Sequence, residues 1–450
     1  MNHLTDTTDP HALPVLRPGD PGYDAELAGF QTGFVPRPAL VVAARSPGDV
    51  VAAVRYAADR KLPVGVQATG HGMPGPSEGG VLVTTARMDA VRIDPEARTA
   101  RLQAGVRWGR VVEAAEPYGL APLNGSAPSV GAVSYTLGGG LGILAREFGY
   151  AADHVRGLDV VTGDGEPRHV TRASDPDLYW ALLGGGAALG IGIVTELEIG
   201  LVPVRTLYGG SLAFDGREVG PAVVLRAYEE WTRTVPDGLT SSFAAVPYPD
   251  LPALPPHLRG RYVVSVRVAH TGADGDQDGD QLVAPLRKIG PVLADSLREM
   301  PYAESHTIHS DPDFPHAYYG DSAVLSELDV DGAAELLART GPDAGAMCVV
   351  QVNHLGGALA RPAPNSVPYR EGRFLVRLLT MGDREAARRI LDPAFALLAP
   401  VTLGRAVNFA FGAGDRAGDL YDAETRKRLA AVKSQYDPAN LFRNSYRVSA

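Results

Sequence analysis

Pro63-Val64-Gly65-Val66-Gln67-Ala68-Thr69-Gly70-His71-Gly72-Met73-Pro74-Gly75 reads as a short strand that runs straight into a glycine and proline loop, with one histidine at the strand's exit. Upstream, residues 39–44 are apolar and β-branched. Ser46-Pro47-Gly48-Asp49 then offers an N-cap, a proline in the first helical turn and an acid three residues after the cap, so a helix is predicted to about Lys61. Downstream, short strands are predicted at 81–84, 91–93 and 100–104, and residues 108–118 carry the spacing of an amphipathic helix packed beside them. Such mixing of short strands and helices is α+β punctuation.

Between Gly125 and Gly142 stand six glycines, a density read as backbone without regular structure, placed close to something such as a ligand phosphate. Residues 157–170 read as a hairpin turning at Gly163-Asp164-Gly165, residues 175–183 as a short helix ending in Gly184-Gly185-Gly186, and residues 191–199 as a strand. After Pro203 the glycine clusters thin out, strands such as 262–268 and 347–352 alternate with helices, and proline joints appear at 247–256. A domain boundary is placed near residue 204. The last 45 residues, with a helix at 426–432 broken by Tyr436-Asp437-Pro438, are expected to pack back on the first domain.

At 450 residues, two domains is the starting expectation, and hydrophobic and charged fractions of 45% and 21% are those of an ordinary globular chain. A formal charge of −10 argues against nucleic acid or anionic lipid as partners, because both select clustered Lys and Arg. Cys348 is the only thiol, so neither an intramolecular disulfide nor a cysteine-rich metal site is expected, and no metal site is assigned. Residues 1–12 lack a charged region followed by an apolar run, and no apolar stretch is long enough to span a bilayer, which makes the cytoplasm the expected location.

Three motifs invite other functions. The run from Gly70 to Gly75 matches a dinucleotide fingerprint and Asp89 lies at a suitable distance, which would make the chain an NAD-dependent dehydrogenase. That fingerprint needs a helix N-terminus facing the pyrophosphate, whereas Pro74, Pro76, Gly79 and Gly80 lead into another strand. The acid-rich residues 274–280 imitate half a calcium loop, but its twelfth position is Pro285, where a bidentate carboxylate is required. Neither a Gly-x-Ser-x-Gly elbow nor a His-Glu-x-x-His helix occurs. His71 by itself reads more readily as a hydrogen-bonded loop histidine than as a cofactor attachment, and residues 125–131 have a plainer reading as tight turns. Taken together, two glycine-bearing loops at 68–72 and 125–131 can cradle a pyrophosphate through backbone amides, as anion nests do.

These residues resemble the vanillyl-alcohol-oxidase-type flavoproteins, specifically the bacterial members similar to berberine bridge enzyme. The likeness runs from about Pro38 through Val204 and resumes at Tyr436-Asp437-Pro438-Ala439-Asn440-Leu441-Phe442-Arg443. It implies an α+β fold with a two-subdomain PCMH-type FAD-binding domain at 1–203 (about 36–203 for the family's own domain). An antiparallel-sheet substrate domain covered by helices is then implied at 204–405, with a C-terminal segment, 406–450, returning to the FAD domain. Ala68-Thr69-Gly70-His71-Gly72 resembles the segment whose histidine is bonded to the flavin dimethylbenzene ring. By the same resemblance Ser126, Ala127, Ser129, Val130 and Gly131 lie in the segment that holds the pyrophosphate, Tyr135 with Gly139, Gly140 and Gly142 lines the ribityl chain and isoalloxazine, and Gly192 and Val194 belong to a strand touching the cofactor.

The chief departure is Ala127, where many relatives place a cysteine that makes a second bond to the flavin. The resemblance therefore implies FAD attached through His71 only, at a somewhat lower potential than in doubly linked relatives. Val130 stands where the family gates dioxygen, and its small size implies oxidase behaviour. Gln351 and Asn353 share one face of a strand and resemble the family's substrate contacts. Ala406 replaces the tyrosine that serves many relatives as base, which leaves His354, Tyr446 and Tyr369 as titratable candidates by motif position. The implied activity is removal of two electrons from an alcohol, amine or hydroxylated ring with dioxygen reduced to hydrogen peroxide. The alternative is a flavoprotein with a non-redox or cyclase role in secondary metabolism.

Overall fold

Ser46 starts the helix Pro47–Asp59 as its neighbours require: its hydroxyl accepts from Asp49 N, and the Asp49 carboxylate accepts from Ser46 N at 3.0 Å. The buried face of this helix, Val50, Ala53, Val54 and Ala57, covers a small sheet. In that sheet Leu40–Ala43 and Val64–Gln67 both run parallel to Val81–Thr84, and Val15–Leu16 adds an antiparallel edge. The helix joins Leu40–Ala43 to Val64–Gln67, which flank Val81–Thr84 on either side, and the chain after Gln67 returns to that central strand through the His71 loop. The computed structural model describes residues 13–443 apart from 74–76, 253, 273–277, 382 and 413–417. Pro74 and Gly75 of the fingerprint, most of the acid-rich stretch and Tyr446 therefore lie outside the described residues.

A second sheet is wholly antiparallel, in the order Val91–Asp94, Thr99–Gln103, Gly192–Gly200, Val155–Thr162, Pro167–Val170. The chain then crosses, between Gly200 and Thr206, into a nine-stranded antiparallel sheet that takes up most of the remaining sequence. Its central strands lie in the order Tyr262–His270, Thr240–Pro247, Cys348–His354, Phe374–Met381, Tyr318–Leu325. One face of this sheet packs into an apolar core with the helices Pro221–Thr232, Val330–Thr340 and Arg384–Leu398. Cys348, Val350 and Val352 point into that core, so Met347, Val349, Gln351 and Asn353 point the other way. The mixed α+β architecture read from the sequence is the architecture observed.

Two local expectations need correction. The glycine-dense stretch 125–142 is not wholly irregular, because Ala132–Leu137 forms a helix between the glycines. Glycine there marks helix ends and close approaches, while burial of Ala132, Val133 and Thr136 holds the residues between them in a helix. The helix predicted at 175–183 does not stop at Gly184. Helical hydrogen bonding resumes and runs on to Leu189 across a break at Leu183 and Gly184, where Gly184 has φ +105° and a Cβ would lie 2.5 Å from Val367 N.

The C-terminal helix Ala423–Tyr436 ends at Asp437, whose carboxylate is fully buried. Asp437 accepts from Leu441 N at 2.8 Å, from Phe442 N at 3.0 Å and from Lys433 Nζ at 2.6 Å, and so folds the following turn. That turn seats Leu441 and Phe442 in the core of the parallel sheet, and Leu441 O accepts from Val64 N at 2.8 Å. Among the described residues no helix is long and apolar enough to cross a membrane. Asp437→Ala strips Lys433 of its buried counter-charge and two amides of their acceptor, and is expected to lower the unfolding free energy by about 3 kcal/mol. Urea titration of variant and parent measures it, and an unchanged midpoint would deny the turn its role.

Candidate active site

The loop after Val64–Gln67 is held in place from three sides. Gly70 has φ +70°, and a Cβ there would stand 2.6 Å from Gly29 Cα, so only glycine lets residues 29–31 lie against it. In return Thr69 O and Gly70 O accept from Phe30 N and Gln31 N, both at 3.0 Å. Phe30 stacks on the His71 ring at 4.0 Å between centroids with an 11° tilt, and the Tyr318 hydroxyl donates to His71 O at 2.7 Å. The second loop joins from the far side: Gly131 N donates to Thr69 Oγ1 at 3.2 Å, Thr69 Oγ1 is hydrogen-bonded to His71 Nδ1 at 2.8 Å, and Ser129 Oγ lies 3.3 Å from His71 Nε2. Burial, with Arg107 and His316 nearby, pushes the His71 imidazole down to about 4, so the ring is neutral at pH 7.

These loops wall one end of a cavity of about 1180 Å³ whose other wall is the helix-free face of the nine-stranded sheet. Of the cofactor residues read from the sequence, Ala68, Thr69, Gly70, His71 and Gly72 line it. So do Ser126, Ala127, Val130, Tyr135, Gly142, Gly192 and Val194. Ser129 and Gly131 stand one hydrogen bond behind the surface. Gly139 and Gly140 do not line it: Gly139 faces Val367, and a Cβ on Gly140 would strike the Tyr135 ring at 2.5 Å. They let the backbone pass behind Tyr135. Ser126, expected to hold phosphate, gives its hydroxyl to Asp311.

Gln351 and Asn353 line the sheet wall. His354 does not, because strand alternation sends it to the helix side. There it stacks on Phe374 at 5.5 Å and accepts from Arg146 Nη1 at 3.1 Å, and burial with Arg146 and Arg373 nearby pushes it down to about 3. Tyr369 is also elsewhere, donating its hydroxyl to Asp419 O at 3.1 Å with its ring against Gly404. The expectation that either stands at the reacting centre is corrected. Ala406 lies outside this cavity and exchanges hydrogen bonds with Ser322 Oγ through its amide and carbonyl.

Four polar residues that sequence reading passed over occupy the sheet end: Arg267, His309, Asp311 and Arg377. Arg267 and Arg377 are charges in the middle of apolar strands, at the same alternation as Gln351, which is a legible signal. His309 and Asp311 sit on irregular chain and gave none. Burial would raise the Asp311 carboxyl, but His309, the Ser126 hydroxyl, Arg267 and Arg377 hold it below its ordinary value. Burial and the two arginines keep His309 neutral, pushed down to about 3.

The residues present fit FAD. Glycines 70, 72, 125, 142 and 192 bring bare backbone to the cavity wall at the loop end, and among the described residues the two carboxylates of the lining, Asp311 and Asp321, belong to the substrate sheet or the chain leading to it. Among the described residues, six buried polar atoms of lining side chains have no protein partner: Tyr135 OH, Ser242 Oγ, His309 Nδ1, Gln351 Nε2, Asn353 Oδ1 and Arg377 Nε. Burying such groups without a partner is costly, so they suit a polar guest. The volume exceeds the roughly 300–1,000 Å³ of a site for one small ligand.

A family model described as "FAD binding domain" matches residues 38–171, and one described as "Berberine and berberine like" matches residues 407–448. The chain is 27% identical to (R)-6-hydroxynicotine oxidase of Paenarthrobacter nicotinovorans over 96% of each chain. This is an FAD-linked oxidoreductase, similar over the matched segments to the berberine-bridge-enzyme-like proteins. The crystal structure of 6-hydroxy-D-nicotine oxidase from Arthrobacter nicotinovorans matches this enzyme with a TM-score of 0.81 at 25% identity, over 97% of this chain and 98% of that one. Glucooligosaccharide oxidase from Acremonium strictum, described with a 6-S-cysteinyl, 8α-N1-histidyl FAD, shares the fold with a TM-score of 0.83 at 20% identity, over 97% of each chain.

His354 in this FAD-linked oxidoreductase binds its proton near pH 3, against an ordinary 6.5, so between those values the unfolded chain holds a proton that the folded one lacks. Stability therefore rises with pH across that window. His354→Gln, which keeps an acceptor for Arg146, is expected to flatten the rise while leaving flavin content unchanged, as read by urea titrations at pH 5 and 7 and by visible absorbance. Gly70→Ala is expected to cost about 1–3 kcal/mol and to shed flavin, because the left-handed backbone and the contact with Gly29 both resist a Cβ.

Proposed function

We propose that the enzyme is an oxidase that carries FAD bonded through His71 alone and takes two electrons and two protons from an alcohol, amine or hydroxylated ring, which dioxygen takes up as hydrogen peroxide. The observation that carries this reading is the placing of His71, a neutral imidazole clamped by Phe30, Thr69 and Ser129 in the wall of a cavity that faces a polar sheet. A neutral ring retains a lone pair for bonding to carbon, which an imidazolium lacks. Single attachment rests on Ala127, which lines the same cavity without a thiol, and on Cys348, whose thiol is buried in the helix-side core. Bound FAD supplies the two-electron acceptor; the protein supplies orientation, a proton acceptor and exclusion of water.

Gln351 and Asn353 orient the substrate, each with a buried polar atom free for it. In place of the tyrosine lost at Ala406, Asp311 is the proton acceptor: it faces the cavity and its neighbours keep it a carboxylate at neutral pH. Val130 lines the cavity beside the His71 loop, where its small side chain leaves room for dioxygen.

Acid precipitation tests the attachment. Yellow colour is expected in the pellet of the parent protein and in the supernatant for His71→Ala; colour in the parent's supernatant would refute the bond. Anaerobic mixing with substrate should bleach the flavin, and admitting air should restore the colour with release of peroxide. Turnover without bleaching would favour the non-redox alternative. Asp311→Asn is expected to keep its flavin and to lower the bleaching rate by about 10²–10⁴-fold.

A further inference from the structure

On the sheet wall, the register sets Arg267 opposite Ser242 and Ser242 opposite Asn353, while the neighbouring row sets Ala244 opposite Gln351 and Gln351 opposite Arg377. The two arginines thus stand on either side of a floor made by Ser242, Gln351 and Asn353, three strand spacings and one two-residue row apart, roughly 16 Å at the backbone. Their long side chains bring both guanidinium groups within electrostatic range of each other and of Asp311. Burial and this mutual repulsion push Arg377 down to about 10.

Neither guanidinium has a carboxylate within ion-pair distance among the described residues. Arg377 bonds the Gln351 amide oxygen, lies 4.2 Å over the Phe409 ring and keeps Nε unpartnered. The Arg267 guanidinium has no hydrogen bond to any described residue. Asp311 gives one negative charge against two positive ones, and Asp321 is taken by Arg405 at 3.1 Å. Sequestered cations without counter-charge are expensive to maintain, and a guanidinium fork matches a carboxylate in shape and charge. The surrounding wall is apolar, with Val349, Leu379, Met381 and Phe411 beside the arginines.

We propose that the substrate is an organic acid: an apolar or aromatic body whose carboxylate is held between Arg267 and Arg377, with its oxidisable carbon turned toward the His71 end. This rests on the oxidase reading above and narrows its substrate class. Asp311, which neighbours the arginines and also accepts from Ser126 of the second glycine loop, remains the proton acceptor.

The test uses three probes with one ring body, benzoate, benzamide and benzylamine, titrated into the purified yellow protein by calorimetry and by perturbation of the flavin spectrum. Benzoate is expected to bind at least tenfold more tightly than the other two. Arg267→Gln and Arg377→Gln are each expected to lose at least tenfold in benzoate affinity, with flavin content unchanged, and Arg377→Lys to recover part of it. Equal binding of the three probes by the parent overturns the proposal, whatever becomes of the variants. So do variants that keep parental benzoate affinity but shift the flavin spectrum, since the arginines would then serve the cofactor. Inorganic phosphate that competes as well as benzoate would overturn the carboxylate assignment. Calorimetry needs no colour, so loss of the flavin reading and loss of this one are distinguishable.

Discussion

The site depends on the hydroxyl of Thr69, which receives Gly131 N from one loop and bonds His71 Nδ1 on its own. Without it, two glycine-bearing turns 62 residues apart in sequence keep only the Ser129–His71 hydrogen bond between them, and the imidazole loses its Nδ1 partner. Each loop is otherwise poor in side chains that could hold it. The conformational freedom of glycine must be limited by neighbours before a loop holds one shape, and here the neighbours are residues 29–31 below, Tyr318 behind and Ser129 beside the ring.

The nine-stranded sheet divides labour by parity. Apolar residues at alternate positions bury themselves under three helices, and the intervening positions are released from core packing to carry Gln351, Asn353, Arg267 and Arg377. A sheet with one dry and one wet face is therefore both scaffold and substrate wall. The same rule removes His354 from consideration, since a neighbour one residue along must face the opposite way. Its proton affinity falls because it is buried against Phe374 and because the Arg146 and Arg373 cations repel a second positive charge.

The C-terminal turn ties the parallel sheet to the last helix. Asp437, buried against Lys433 and two amides, holds Leu441 and Phe442 beneath the strands that lead to His71, so a carboxylate far along the chain supports the loop's foundation. This explains the place of the short motif Tyr436-Asp437-Pro438 at the helix's end: the acid is needed where the helix stops.

Local sequence determined much of this protein. The capping box at Ser46, the strand exit at His71, the alternation of 347–353 and the mixture of elements were all legible, because each is decided by neighbours within one turn or one pleat. The glycine loops were legible as loops. What only the tertiary structure decided was which of them meet and what faces the cavity. Tyr369, a plausible base by motif position, is drawn to Asp419, while His309 and Asp311, on chain without periodicity, arrive beside two arginines from other strands. Long-range approach depends on how sheets stack and where loops close, and no spacing along the chain encodes it.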